Sequence, residues 1–334
     1  MRNRLVALAA TVLALALAAC TAQPAPTSSS TLLPQSDANV KLTIGLTYQP
    51  DIQFAPIYVA AELDYFKDAG LDVTIRHHGA GESLFGALQA GEEDVVFAGG
   101  DEMMQARSQG VDVVNIATVY QTYPLAILAP VNTPIHDVPS LRGLKVGLPG
   151  EYGENWFALL LLLQQNGMTR DEIDVVSIGY TQQAALMSGK VQAVVGFVNN
   201  DAVRLAQAGF PVQLMRLTGL VGSGLGVTDA TLEARTTDLR AMWGAIAKAM
   251  QICVENPNQA LDLSAKYVPG LDQPDNQAIA LAILNATLKL YGAPADFGKQ
   301  DAATWASMAT FMQGAGLLDQ PVAPEDAYTT TIVS

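Results

Sequence analysis

The strongest constraint on how this chain folds is that it states one pattern twice. Residues 71–117 read LDVTIRHHGAGESLFGALQAGEEDVVFAGGDEMMQARSQGVDVVNIA. They give a β-rich run, a polar turn, a short helix closed by glycine, a strand ending in small or polar residues, a second helix and a third strand. Residues 173–217, IDVVSIGYTQQAALMSGKVQAVVGFVNNDAVRLAQAGFPVQLMRL, repeat that order, with Leu88-Gln89-Ala90-Gly91 and Leu186-Met187-Ser188-Gly189 in equivalent places. Before each unit stands a strand, a loop with aromatics and an apolar helix, at 41–66 and 144–167. Any two βαβαβ units share such a pattern. Because the preceding segments repeat as well, two similar α/β lobes are the economical reading.

Between the units, YPLAILAPVNTPIHDVPS is an apolar strand running into a Pro-rich loop, and VGSGLGVTDATLEAR follows the second unit. These are read as the two crossings between lobes, with hinge motion expected at 126–131 and 222–227. That division puts lobe 1 at 40–127 and 226–334 and lobe 2 at 128–225. From Leu232 onward the pattern is helical, with Trp243, Tyr267, Tyr291 and Trp305 at spacings typical of a core.

The ends bear on where the chain works. Arg2 and Arg4 precede an apolar run from Leu5 to Ala19, too short and alanine-rich for a membrane span, which reads as a signal peptide over 1–19. Leu17-Ala18-Ala19-Cys20 looks like a bacterial lipobox, with Cys20 acylated as the new N-terminus. Residues 20–39, rich in Pro, Ser, Thr and Ala, then form a flexible tether. Loss of Arg2 and Arg4 leaves 16 basic against 32 acidic residues, which argues against nucleic acid or anionic lipid as partners. After Cys20 only Cys253 remains, so the folded part can form no internal disulfide.

One turn is unusually crowded. LPGEYGENWFALLLLL, 148–163, is a strand end, a glycine turn and an apolar helix, and it packs Glu151, Tyr152, Glu154, Asn155 and Trp156 into six positions. A helix start needs one cap and an acid. Two carboxylates here accept hydrogen bonds, repel anions and so favour a neutral or cationic partner with N–H or O–H donors. Both acids also complement a helix dipole, which is the purely structural alternative.

FAPIYVAAELDYFKDAGLDVTI resembles the opening signature of the NMT1/THI5-like periplasmic binding proteins, which serve ABC importers. ALQAGEEDVVFAGGDEMMQA, LRGLKVGLPG and VQAVVGFVNND continue the resemblance, which covers roughly 41–230; Asp64 stands where the family often has glycine. The resemblance implies a periplasmic-binding-protein type II-like α/β fold, two lobes joined by two crossing segments around a ligand cleft. Ligands of such sheets sit outside the carboxyl ends of strands. Four loop regions are therefore expected to face one cleft: 48–54, 79–83 with 99–102, 149–156, and 180–182 with 199–201. Candidate ligand contacts are Tyr48, Phe54, Glu102, Tyr152, Glu154, Asn155, Trp156, Tyr180 and Asn199, with Tyr120 and Tyr123 adding aromatic surface.

So much aromatic surface, with acids in place of anion-binding donors, fits a flat heteroaromatic vitamin, and within the family riboflavin is favoured. A thiamine-precursor pyrimidine, formylaminopyrimidine or hydroxymethylpyrimidine, is the alternative. The implied partners are the permease and its ATPase, with a lipid anchor as the only membrane attachment, a monomeric state, and a location on the outer side of the cell membrane.

An enzyme is not expected. His77, His78 and His136 are the only histidines, no cysteine cluster exists, and His77-His78 on adjacent strand positions point to opposite faces, so they cannot chelate one metal. No G-x-S-x-G elbow is present, GSG at 222–224 lacks an obvious following helix, and GAGESLFG lacks the Lys-Ser/Thr ending of a phosphate loop. Glu92-Glu93 and Asp101-Glu102 read as solvated acids or helix starts. A structural lipoprotein or adhesin is a third class, and it predicts no interlobe cleft.

Overall fold

Ten strands build two five-stranded sheets of one design, as seen in a computed structural model that describes residues 39–79 and 82–333. The leader, Cys20, nearly all of the tether, and Ala80 and Gly81 lie outside the described residues. The strands are β1 (Val40–Leu46), β2 (Leu71–His77), β3 (Val95–Gly99), β4 (Val113–Thr118), β5 (Leu125–Pro130), β6 (Lys145–Leu148), β7 (Asp174–Ser177), β8 (Ala193–Phe197), β9 (Val212–Arg216) and β10 (Ser223–Thr228). The first sheet runs β2-β1-β3-β10-β4 and the second β7-β6-β8-β5-β9. In each, the first three strands are parallel and the fourth enters antiparallel. The repeat in the sequence is thus a repeat in topology. β3 and β5 are buried at every position and read as near-continuous apolar runs, as interior strands covered on both faces should.

Helices cover the sheets: α1 (Ala55–Glu62), α2 (Tyr65–Asp68), α3 (Gly86–Ala90), α4 (Gly100–Ser108), α5 (Gly153–Gln165), α6 (Gln182–Met187), α7 (Asp201–Gln207), α8 (Asp229–Glu255), α9 (Pro257–Ser264), α10 (Pro274–Leu288) and α11 (Ala302–Gly314). No helix of the described residues is long and apolar enough to cross a membrane. The leucine run of α5 buries Leu159, Leu161, Leu162 and Leu163. Asp64 links α1 to α2 with φ 55°, in the left-handed region that glycine adopts at no steric cost.

The crossings fall a few residues earlier than expected. Residues 126–130 belong to β5 and 223–227 to β10, each hydrogen-bonded on both sides within a sheet; the chain passes between lobes over 119–124 and 217–222. An apolar run followed by glycine or proline reads alike as a connector or as an inserted antiparallel strand. Among the C-terminal aromatics Trp243, Tyr291 and Trp305 are buried, whereas Tyr267 is half-buried and stacks on Tyr58 at 4.5 Å. Trp305, Met308 and Met312 of α11 share one core with Leu161 and Leu162 of α5 and Met104 of α4, so this last helix packs against both lobes. The segment beyond α10 also bridges the edge strand of the first sheet, Thr118 to Gly298 and Asn115 to Tyr328.

Candidate functional site

The parallel strands β1, β3, β6 and β8 all end where the lobes meet, and the loop after each runs into a helix. The loops meet crosswise. The β1 loop of the first lobe faces the β8 loop of the second, and the β3 loop faces the β6 loop.

At the first junction the Tyr48 and Tyr180 rings meet edge to face at 6.4 Å. Asp51 accepts from Arg204 at 3.2 Å and from Asn200 at 3.3 Å, both on the second lobe. Burial holds the Asp51 carboxyl above its usual range despite these donors. A cavity of about 160 Å³ adjoins this pair, lined by Asp51, Arg204, Leu271, Asn276 and Ile283. Tyr180 is 64% exposed and lies beside Tyr152, itself 60% exposed, so the two form an aromatic rim.

The second junction is a cluster of acids. Glu154, one residue into α5, reaches into the first lobe, where its Oε1 accepts from Ser223 Oγ of β10 at 3.1 Å. It lies against Gly99, where a Cβ would collide with the Glu154 and Asp101 carboxylates. The exchange is reciprocal. Glu102 of α4 accepts from Gly99 N at 3.1 Å and takes the backbone N–H of Glu154. Gly153, with φ 66°, lets the two chains approach, its Cβ position only 3.0 Å from Glu102 Oε1. Asp101 is fully buried and accepts from Tyr123 OH at 2.7 Å; the same hydroxyl reaches the Glu154 carbonyl at 3.3 Å. Three carboxylates from two lobes thus share one volume, Asp101 and Glu154 buried and Glu102 half-buried. Burial, and secondarily the Glu102 charge, push Asp101 up to about 8. Burial likewise raises Glu102, and raises Glu154 well above the carboxylate range with help from Glu102 and Asp101.

The remaining candidates divide. Asn199 is fully buried at the end of β8, where its Nδ2 donates to Thr287 Oγ1 of α10 at 2.9 Å while its Oδ1 has no partner. Tyr120 lies in the first crossing, 2% exposed, stacked with Tyr291; its hydroxyl has no partner and sits in the fields of Asp51 and Glu154. Asn155 is turned inward and spends its Nδ2 on the Val195 carbonyl of β8 at 3.0 Å. Trp156 is half-buried against the core of the second lobe. Phe54 is 3% exposed, packed edge-on to Phe97 and His77 inside the first lobe. Glu151 turns outward to Arg170 at 2.9 Å, away from the seam.

One reading of the paired acids is corrected. Asp101 and Glu102 do begin a helix, with Asp101 buried there, but Glu93 is neither solvated nor at a helix start: it is 2% exposed, held by Arg76 at 2.6 Å and His78 at 2.9 Å under Gly45. Sequence reasoning also missed Ser223, Asp51 and Arg204. The Asp51–Arg204 pair spans 153 positions, and nothing local marks it.

The sequence profile of the family described as NMT1/THI5 like matches residues 51–260. The riboflavin-binding protein RibY of Chloroflexus aurantiacus is 32% identical over 325 residues, covering 95% of this chain and 90% of that protein. The formylaminopyrimidine-binding protein of Halalkalibacterium halodurans is 27% identical, covering 85% and 88%. Among solved structures, the periplasmic aliphatic sulphonate binding protein SsuA of Escherichia coli superposes with a TM-score of 0.69 at 18% identity, covering 86% and 91%. The shared architecture is therefore the periplasmic-binding-protein fold.

Proposed function

Because the chain belongs to the NMT1/THI5-like family, we propose that it is the extracytoplasmic substrate-binding protein of an ABC importer and that it captures riboflavin for delivery to the permease. The observation that carries this reading is the seam itself: carboxylates from both lobes beside an aromatic rim, with buried Tyr120 and Asn199 groups left to pair. Riboflavin supplies a flat tricycle for Tyr48, Tyr152 and Tyr180, and hydroxyl and imide donors for Glu102 and Glu154. Stacking contributes about 0.5–1.5 kcal/mol per ring pair beyond area burial, and each charge-assisted hydrogen bond about 1.5–3 kcal/mol. The relative of known name that binds riboflavin, alignable over nearly the whole chain, supports the same ligand.

Because Glu154 and Glu102 interlock across the seam, the lobes must part to admit a tricycle. The formylaminopyrimidine-binding relative supports the single-ring pyrimidine as the second reading. No catalytic role is proposed; the riboflavin-binding relative supports a binding protein. Cys20 is proposed as the lipidated residue and the chain as a monomer tethered outside the cytoplasm. Cys20→Ala should release the protein from membranes with ligand binding intact.

Titration with riboflavin and with each pyrimidine, read by flavin fluorescence and calorimetry, tests the ligand. Stoichiometric binding of riboflavin, recovered unchanged, is expected. Tight binding of a pyrimidine with none of riboflavin would replace the first reading by the second.

A further inference from the structure

We propose that Asp101, Glu102 and Glu154 form a charge filter that admits the unphosphorylated flavin and turns away its 5′-phosphate ester. This rests on the riboflavin reading and names what the same site rejects.

The position of the cluster comes first. Glu154 stands on one lobe and Asp101 and Glu102 on the other, so a ligand held between the lobes meets carboxylates on both sides. Helix starts ordinarily welcome anions, because their free N–H groups and dipoles attract negative charge. Here both facing helices are already served by an acid of the protein. Glu102 takes the N–H of Gly99 at the start of α4 and that of Glu154 at the start of α5. A phosphate entering the seam finds those donors occupied. Arg204, the cation that reaches the seam, is engaged by Asp51 and Asn200.

Two buried groups show what the seam does accept. The Tyr120 hydroxyl, in the fields of Asp51 and Glu154, and Asn199 Oδ1 are both inaccessible and without partners among the described residues. Neutral hydroxyls satisfy them, since each can donate and accept. Ionised Glu154 and Glu102 take donors from the same ligand. A phosphate brings acceptors to a place crowded with acceptors.

Protons set the strength of the filter. An anion among these acids is tolerated only when they are protonated, and burial already drives them toward that state when the lobes are in contact. Closure on the phosphate ester must therefore take up protons, whereas closure on riboflavin replaces those protons with ligand donors. The groups facing the cluster are Tyr123 and Tyr120 from the crossing, Ser223 from β10 and Tyr180 from the second lobe. Rejection therefore strengthens as pH rises.

Equilibrium binding of riboflavin and flavin mononucleotide at pH 7.5 tests this. Like charges near 7 Å at an effective dielectric of 20 correspond to a discrimination of about 50-fold per charge, so the wild type should bind the phosphate ester at least about 100-fold more weakly. Glu154→Gln and Glu102→Gln should each narrow the ratio of riboflavin to flavin mononucleotide affinity by about 50-fold, a change of ratio that a merely structural role does not produce. If neither variant folds, the wild type is measured from pH 8.5 to 5.5 with riboflavin 5′-sulfate, whose charge is constant over that range. The gap between it and riboflavin should narrow with falling pH. Equal affinity for both flavins, or a sulfate gap independent of pH, overturns the filter and leaves the riboflavin reading standing. Failure of the wild type to bind either flavin overturns both.

Discussion

Replacing Asp101 by asparagine should weaken the way this protein's stability responds to pH. In the folded chain burial pushes Asp101 up to about 8 from its ordinary 3.8. A carboxyl whose pKa is raised on folding holds a proton that the unfolded chain releases. Its contribution is full below about pH 4 and is lost as pH rises through 8. Between pH 8 and pH 6 protonation of Asp101 alone adds about 2 kcal/mol, at 1.36 kcal/mol per pH unit with part of the titration already under way at pH 8. Glu102 and Glu154 shift in the same direction and add to it. His77 opposes. Burial lowers its pKa, so the unfolded chain takes up the proton it refuses, costing less than about 1 kcal/mol at pH 6. The net gain of about 2 kcal/mol should raise the melting temperature by about 4 °C or more from pH 8 to pH 6. Asp101→Asn retains an acceptor for Tyr123 OH but no longer titrates, so its rise in melting temperature toward pH 6 should be smaller than the wild type's by about 4 °C, with Glu102 and Glu154 supplying what remains. Calorimetric scans of both proteins at several pH values make the measurement. A wild-type melting temperature that is flat or falls toward pH 6, or an unchanged slope in the variant, refutes the reasoning.

Gly99→Ala places a Cβ against the Glu154 carboxylate of the opposite lobe and should weaken ligand capture by about 10- to 100-fold, the cost of overpacking. X-ray scattering should show this variant more extended at saturating ligand, and wild-type affinity would remove the Gly99–Glu154 contact from closure. Gly45→Ala drives a Cβ into the buried Glu93 carboxylate that Arg76 and His78 hold, and should cost about 2–4 kcal/mol in urea unfolding. Asp64→Gly relieves a left-handed backbone at φ 55° and should stabilise by about 0.5–1 kcal/mol, read as a higher urea midpoint at unchanged slope.

Topology was legible because hydrophobic period is local, and the repeated β-helix-β pattern maps strand for strand onto sheets of identical order. Loops after parallel strands could be named in advance for the same reason. Burial was not legible. Phe54 and Tyr48 share one loop, yet Phe54 lies in a core and Tyr48 meets Tyr180 of the other lobe. Glu151 and Glu154 share one turn, and only the helical geometry beginning at Gly153 separates the exposed partner of Arg170 from the acid that reaches Ser223. Glu93 looked like a surface charge because its shielding comes from Arg76 and His78, well removed in sequence. Asp64 was visible only as a departure from a family's glycine, and its backbone angle supplies the physical sense of that glycine.

The insertion of β10 between β3 and β4 constrains the order in which the chain can acquire structure. Strands β5 to β9 form an unbroken stretch, from Leu125 to Arg216, so the second sheet can assemble once that stretch exists. The first sheet cannot. β3 and β4 lie side by side in sequence but are held apart by a strand more than a hundred residues later, and both keep open edges until Ser223–Thr228 arrives. Long loop closure makes such pairing slow, and unpaired edges are sticky while they wait. The second lobe should therefore mature first and the first lobe last, its nascent edges being the surface that a holding chaperone would recognise.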